Sequence, residues 1–272
     1  METRITNADI ASGNHAVSKI LIFHSMQFKI LRFDSIGSTN TEAINQIKLG
    51  ADENLCVVAR QQTAGRGRHG RTWISEQDAG LYFSLVLRPK IENRFLPLIT
   101  LMAAVAVYDT LAKLYGLKPD IKWANDIHIS DKKICGILAE MTETDAGLAI
   151  VVGIGINLKS SNFPPELVET ATSVEAETNL IPDTEILLQS LTRLLAEYNC
   201  VLSGAGGAEK IRREWAKRSS YFEEKSVKVN LGNETIYGTT RGLEENGALR
   251  VEDESGGIRI IQTGDVERLR KI

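Results

Sequence analysis

Residues 62–73 read Gln-Thr-Ala-Gly-Arg-Gly-Arg-His-Gly-Arg-Thr-Trp, and this run limits the fold more than any other. Glycines at 65, 67 and 70 alternate with arginines at 66, 68 and 71, and Trp73 closes the run. Glycine permits positive φ and tight bending without a Cβ clash, so the stretch reads as a loop. Apolar, strand-like Leu55-Cys56-Val57-Val58-Ala59 enters it and Gly80-Leu81-Tyr82-Phe83-Ser84-Leu85-Val86-Leu87 follows it. A loop between two buried strands is where a rigid scaffold presents functional groups. A bent glycine backbone can aim several N–H groups into one concavity that suits an anion. The arginines add forked donors that match carboxylate or phosphate oxygens, and Trp73 offers a face for ring stacking. The alternatives are a solvated flexible loop or an arginine-glycine segment that touches nucleic acid.

The charge balance speaks against nucleic acid. The 272-residue chain carries a net charge of −3, so no global basic surface exists to hold a polyanion. The arginine cluster is a local feature and reads as a small-anion site. Cys56, Cys135 and Cys200 are odd in number and far apart. They form neither a disulfide framework nor a zinc spacing and fit a reducing cytoplasm. His15, His24, His69 and His128 form no ligand pair at helical spacing. No apolar run approaches a membrane span by inspection, and the segment Ala16–His24, interrupted by Lys19, is no signal peptide. Met26 offers an alternative start.

Periodicity places the elements in between. Phe28–Phe33 reads as a strand, and Thr39 with Glu42 reads as a capping box opening a helix that stops at Gly50. Phe95 to Tyr115 reads as a long buried helix ending at Gly116. Strands follow at Ile121–Trp123, Ile127–Ile129, Ile134–Met141 and Leu148–Val152. Adjacent hairpins argue for a mixed, mainly antiparallel sheet. Residues 159–182 are polar and read as a loop or lid. Helices follow at Asp183–Leu202 and around Ile211 and Trp215. Four short strands, at Val227–Val229, Glu234–Tyr237, Ala248–Val251 and Ile258–Ile261, then suggest a small barrel with turns at Asn246-Gly247 and Gly256-Gly257.

Three motifs in order carry a family resemblance. After Gly-Arg-Gly-Arg-x-Gly-Arg come Lys122-Trp123-Ala124-Asn125-Asp126, then Lys132-Lys133-Ile134-Cys135-Gly136-Ile137-Leu138-Ala139-Glu140, then Gly153-Ile154-Gly155-Ile156-Asn157. The chain resembles the biotin protein ligases over about residues 27 to 272, with Ala124 where many relatives carry proline. The form it resembles lacks the N-terminal DNA-binding repressor domain. The resemblance implies an α+β fold of the class II aminoacyl-tRNA synthetase and biotin ligase kind, with a small SH3-like all-β C-terminal domain. The expected divisions are an N-terminal extension at 1–25, a catalytic domain at 26–218 and the C-terminal domain at 219–272.

The implied reaction joins biotin to ATP as biotinyl-5′-AMP, releases pyrophosphate, and transfers biotin to a lysine of a biotin carboxyl carrier domain. Both first reactants are anions, so positioning and positive charge dominate catalysis. By resemblance Lys133 bridges the biotin carboxylate and the phosphate, with Arg68 and Lys122 as further catalytic cations. Ser38, Thr39, Asn40, Gln62, Gly65, Arg66, Asp126, Lys133, Gly136, Leu138, Gly153 and Gly155 are expected around biotin. Arg66, Gly67, Arg68, Arg71, Trp73, Asn125 and Asn157 are expected around ATP and the adenylate, with Arg268 or Arg270 as further candidates. Magnesium would enter with ATP, near Asn125 and Asp126. The implied partner is the carrier domain of a carboxylase such as acetyl-CoA carboxylase. No sequence-specific DNA and no membrane are implied, and the protein would be a cytoplasmic monomer or homodimer.

Overall fold

The structure, a computed structural model, describes residues 17–23, 26–159 and 163–268, with backbone alone for 17–23, 26, 27 and 268. In chain order the first elements are β1 (Val17–Phe23), β2 (Met26–Ile36), α1 (Thr39–Lys48), β3 (Leu55–Gln62), β4 (Gly80–Leu87) and α2 (Leu98–Tyr115). Next come β5 (Asp120–Lys122), β6 (Asp126–Ile129), β7 (Lys132–Thr144), β8 (Gly147–Asn157), α3 (Val174–Thr178), α4 (Thr184–Ser203) and α5 (Gly207–Ala216). The chain ends with β9 (Glu223–Asn230), β10 (Thr235–Leu243), β11 (Leu249–Asp253), β12 (Ile258–Ile261) and β13 (Asp265–Arg268). Two compact units share these elements. One holds β1–β4, α1, β7, β8, α3 and α4 up to Ala196; the other holds α2, β5, β6, the end of α4, α5 and β9–β13.

In the first unit the strands run β1-β2-β3-β4-β8-β7, with β2 and β3 parallel and the other neighbours antiparallel. The boundary expected after residue 25 falls inside the β1–β2 hairpin, where Val17 pairs Arg32 and Phe23 pairs Met26. Directly opposed residues share a sheet face. Register therefore lays three rows across β7, β8 and β4: Glu140-Val151-Val86, Leu138-Gly153-Ser84 and Gly136-Gly155-Tyr82. In the first row Val86 and Val151 join Leu31, Ala43, Ile47, Leu55 and Val57 in one core cluster, supplied in part by α1. Ile47, 2% exposed, contributes about 1.5–3 kcal/mol by burial. The other two rows carry glycine on β8, which leaves the sheet surface bare there.

The expected capping box does not form. Ser38, not Thr39, is the N-cap, and it makes no side-chain cap bond. Thr39 instead donates its N–H and its hydroxyl to Gln62 Oε1, at 2.8 and 3.1 Å. Gly50 stops the helix with φ of +91°, as expected. The expected lid over 159–182 is anchored at its middle. Thr170 and Thr172 bond the backbone of Lys133, and buried Thr172, Ser173 and Val174 lead into α3.

In the second unit α2 is apolar nearly all round and eleven of its residues are buried. Contrary to the sequence reading, it is long and apolar enough to cross a membrane by length and composition. Its alanines and valines pack it as a core helix instead. Arg218 forks onto Asp109 at 2.8 and 3.0 Å and reaches Glu214 at 2.6 Å, while Tyr198 donates to Asp109 at 2.6 Å. The C-terminal strands form one sheet, β12-β11-β10-β9-β13, with a fifth strand, β13, beyond the four expected. At the Asn246-Gly247 turn a Cβ on Gly247 would lie 2.8 Å from Leu98 and Leu101 of α2, and Trp123 donates to the Gly247 carbonyl at 2.9 Å. These contacts explain why α2 and β5 group with the C-terminal strands, where a linear boundary at residue 218 would separate them.

Candidate active site

The bare rows are the floor of the candidate site. A Cβ on Gly153 would lie 2.1 Å from Asn40 Oδ1, and one on Gly155 would lie 2.4 Å from Trp73 Nε1. A Cβ on Gly136 would meet the Trp73 ring at 2.9 Å and Lys133 Nζ at 3.3 Å. Each glycine is thus required for close approach, since any side chain would expel Asn40 or the indole. Lys133 Nζ stands 5.3 Å from the Trp73 ring centroid, within cation–π range. The indole Nε1 is buried and has no hydrogen-bond partner among the described residues. A buried, unsatisfied donor beside a glycine cradle and an ammonium fits a polar, anionic ligand.

Around the floor runs a polar network. Buried Ser84, in the row of Gly153, donates to Asn40 Oδ1 at 2.6 Å, and its oxygen lies 2.8 Å from Thr39 Oγ1. That contact orients Asn40, whose Nδ2 then donates to the Leu138 carbonyl at 3.2 Å and to Glu140 Oε2 at 2.7 Å. Gln62 accepts from Thr39 and donates to Ser75 Oγ at 2.8 Å, tying the end of β3 to the far end of the arginine loop. Asn157 Nδ2 donates to the carbonyls of Lys133 and Thr172, at 3.3 and 3.0 Å, and so fixes the backbone that carries the lysine.

The loop closes on itself at its neck. Trp73 N donates to Gly65 O at 3.0 Å and Gly67 N to Arg71 O at 2.7 Å. The glycines serve different ends than the sequence suggested. Gly70 takes φ of +72°, but His69 shares that region at +55°, while Gly65 is needed for packing: its Cβ would lie 2.3 Å from Trp73 O. Arg66 reaches Glu140 Oε2 at 2.7 Å. Arg68 and Arg71 lie on the loop around its short 3-10 turn.

Contacts within the first unit join Thr39, Asn40, Gln62, Gly65, Arg66, Trp73, Lys133, Gly136, Leu138, Gly153, Gly155 and Asn157, while Ser38 precedes α1 and Gly67, Arg68 and Arg71 lie on the arginine loop. Lys122, Asn125 and Asp126 lie at the β5–β6 hairpin of the second, where Lys122 pairs Asp126 and the Trp123–Ala124 peptide is cis. Arg270 lies outside the described residues, and Arg268 ends β13. Sequence reasoning missed Ser84, Ser75 and Glu140 as members of this network. The signal for Ser84 and Glu140 was register: a hydroxyl and a carboxylate fall in otherwise apolar or glycine rows. Among the described residues no three His, Cys, Asp or Glu side chains gather as a metal cluster. The oxygens of Asn125 and Asp126 suit a hard cation that takes its remaining ligands from phosphate. Burial pushes the Cys56 thiol well above its ordinary range, with Arg32 opposing weakly, so Cys56 is an inert core residue.

The chain is similar to known proteins in sequence and fold. The model of the biotin/lipoate A/B protein ligase family matches residues 32–157, and that of the biotin protein ligase C terminal domain matches residues 224–269. The bifunctional ligase/repressor BirA of Bacillus subtilis is 35% identical over 270 residues, covering 97% of this chain and 79% of that protein. That match reaches into the first 25 residues, which the sequence reading had set apart. The biotin--[acetyl-CoA-carboxylase] ligase of Paracoccus denitrificans is 34% identical over 226 residues, covering 80% of this chain and 92% of that one. Among solved structures, biotin protein ligase from Aquifex aeolicus in complex with biotin and ATP aligns at a TM-score of 0.76 with 29% identity, covering 89% of this chain and 99% of that chain.

Proposed function

This chain belongs to the biotin protein ligase family, and on that premise we propose which of its residues carry the two half-reactions. The protein is an ATP-dependent biotin–protein ligase with the fold of that family. A biotin carboxylate oxygen attacks the α-phosphorus of ATP, the bond to pyrophosphate breaks, and biotinyl-5′-AMP remains. A carrier lysine amine then attacks the acyl carbon and AMP leaves. The family acts on biotin carboxyl carrier domains of carboxylases; the acetyl-CoA carboxylase carrier is the proposed partner, as the names of relatives suggest.

The observation that carries the assignment is the cradle of Gly136, Gly153 and Gly155 with Lys133, Trp73 and Asn40 at its walls. Lys133 holds the carboxylate against the phosphate, and Arg68 with Arg71 takes the growing phosphoryl charge. Thr39, Gln62 and Asn40, held by Ser84 and Ser75, form the polar wall beside the biotin head. Asp126 serves the ureido ring, Lys122 adds charge, and Asn125 and Asp126 would hold magnesium, which supplies further charge neutralisation when bound with ATP. These last assignments rest on the motif resemblance. The accompanying reading is a cytoplasmic monomer or homodimer acting without sequence-specific DNA, in keeping with free cysteines and the net charge of −3.

The test is exchange of labelled pyrophosphate into ATP. Biotin supports exchange in the expected outcome. Exchange with lipoate and none with biotin would overturn the substrate assignment.

A further inference from the structure

Glu140 is not one of the residues that the motifs assign to either ligand, yet two assigned residues converge on one of its oxygens. Oε2 accepts from Asn40 Nδ2 at 2.7 Å and from Arg66 at 2.7 Å. Asn40 belongs to the first turn of α1, at the floor of the cradle, and is 3% exposed. Arg66 belongs to the neck of the arginine loop, where its backbone bridges Thr72. We propose that Glu140 is a positioning residue for adenylate formation and retention, a charged strut that ties the arginine loop to the biotin floor. The proposal rests on the ligase reading above.

The chemistry favours a strut over a solvent-facing pair. The Glu140 side chain is 25% exposed, so its charge is partly desolvated and its two bonds strengthen accordingly. Asn40 cannot turn away, because Ser84 holds its Oδ1 and a Cβ on Gly153 would strike that same oxygen. The carboxylate is therefore fixed from the floor side, and Arg66 docks on a preset anchor. Register supports this: Glu140 follows Gly136 and Leu138 on the same face of β7, one row beyond the glycine rows. Without the strut the neck loses a charged side-chain tie to β7, and an adenylate beneath it escapes faster.

The experiment is a double-mutant cycle read on biotinyl-adenylate dissociation and on KM against kcat in pyrophosphate exchange. Glu140→Gln keeps the shape and an acceptor for Asn40 but removes the charge. It is expected to speed adenylate release about tenfold and to raise KM more than it lowers kcat, with the melting temperature close to wild type. In the Arg66→Met background the same change is expected to add nothing. Trypsin cleavage after Arg66 in the ligand-free protein should accelerate in Glu140→Gln, while cleavage after Lys217 should not. Unchanged release in Glu140→Gln, or effects that multiply in the double variant, would overturn the strut. Should Glu140→Gln fold poorly, Glu140→Asp, too short to span both partners, carries the same expectations. Wild-type protein that forms no biotinyl-adenylate would instead defeat the ligase reading on which the strut rests.

Discussion

Arg218 and Arg66 each meet carboxylates at hydrogen-bond distance, yet they do opposite work. Arg218 and Asp109 are only 16% and 12% exposed, and the guanidinium is ringed by Asp109, Glu214 and Tyr198. Burial alone would lower its pKa, but the bonds from Asp109 and Glu214 outweigh this and raise it, so the charge is permanent. Arg66 is 43% exposed and touches a carboxylate at one nitrogen. The first arrangement is closed, joins α2 to α5 and the end of α4, and has no donor face to offer. The second sits on a loop and holds one carboxylate oxygen from a half-exposed side chain. What separates a structural arginine from a ligand arginine here is how many of its donors the protein occupies, and how rigid the element is that bears it.

If that contrast holds, losses on the loop side should appear in chemistry and losses on the Arg218 side in stability. Lys133→Ala should cut adenylate formation by about 10²–10³, with an unchanged melting temperature. The backbone of residue 133 is held by Thr170, Thr172 and Asn157. Steady-state exchange with a thermal melt on the same sample checks it. A large fall in melting temperature would erase the distinction. Arg218→Met should do the reverse, costing about 3 kcal/mol because the largely buried Asp109 loses its counter-charge and keeps only the Tyr198 bond. At a temperature where the variant is folded, its KM for biotin and ATP should equal wild type. Chemical denaturation with parallel kinetics reads both, and a shifted KM at full folding would show that the two regions are coupled.

The fold was legible wherever apolar periodicity and glycine stops were strong. The limits of β4 and the end of α2 at Gly116 came directly from such signals. β13 was not, because Asp-Val-Glu-Arg offers one apolar residue and is held by pairing with β9. The site was legible as motifs but not as connections. Thr39 and Glu42 fit a capping box locally, yet Gln62, 23 residues away, takes the Thr39 N–H instead. Ser84 sits inside an apolar run, and only the register with Gly153 shows that its hydroxyl faces the site. Glu140 is linked to Arg66 across 74 residues. Long-range pairing selects these partners, and a linear reading lacks that information.

The smallest expected effect sharpens the comparison by titration. The Glu214 carboxyl is held below its ordinary value, first by the Lys217 contact and then by Arg218. A depressed carboxylate stabilises the fold above its unfolded pKa, about 4.3, and that contribution vanishes as pH falls through the folded value. Glu214 is 28% exposed and Lys217 59%, so screening limits the contribution to less than about 1 kcal/mol. Glu214→Gln keeps an acceptor for Arg218 and removes the charge. Melting temperatures measured from pH 7 down to about pH 3 should show wild type above the variant at neutral pH, with the gap closing from about pH 5 downward. Added salt should remove the exposed Lys217 share first and leave the part shared with Arg218. A gap independent of pH would mean that the ring around Arg218 is held by shape and hydrogen bonds alone, and that Glu214 contributes no charge to it.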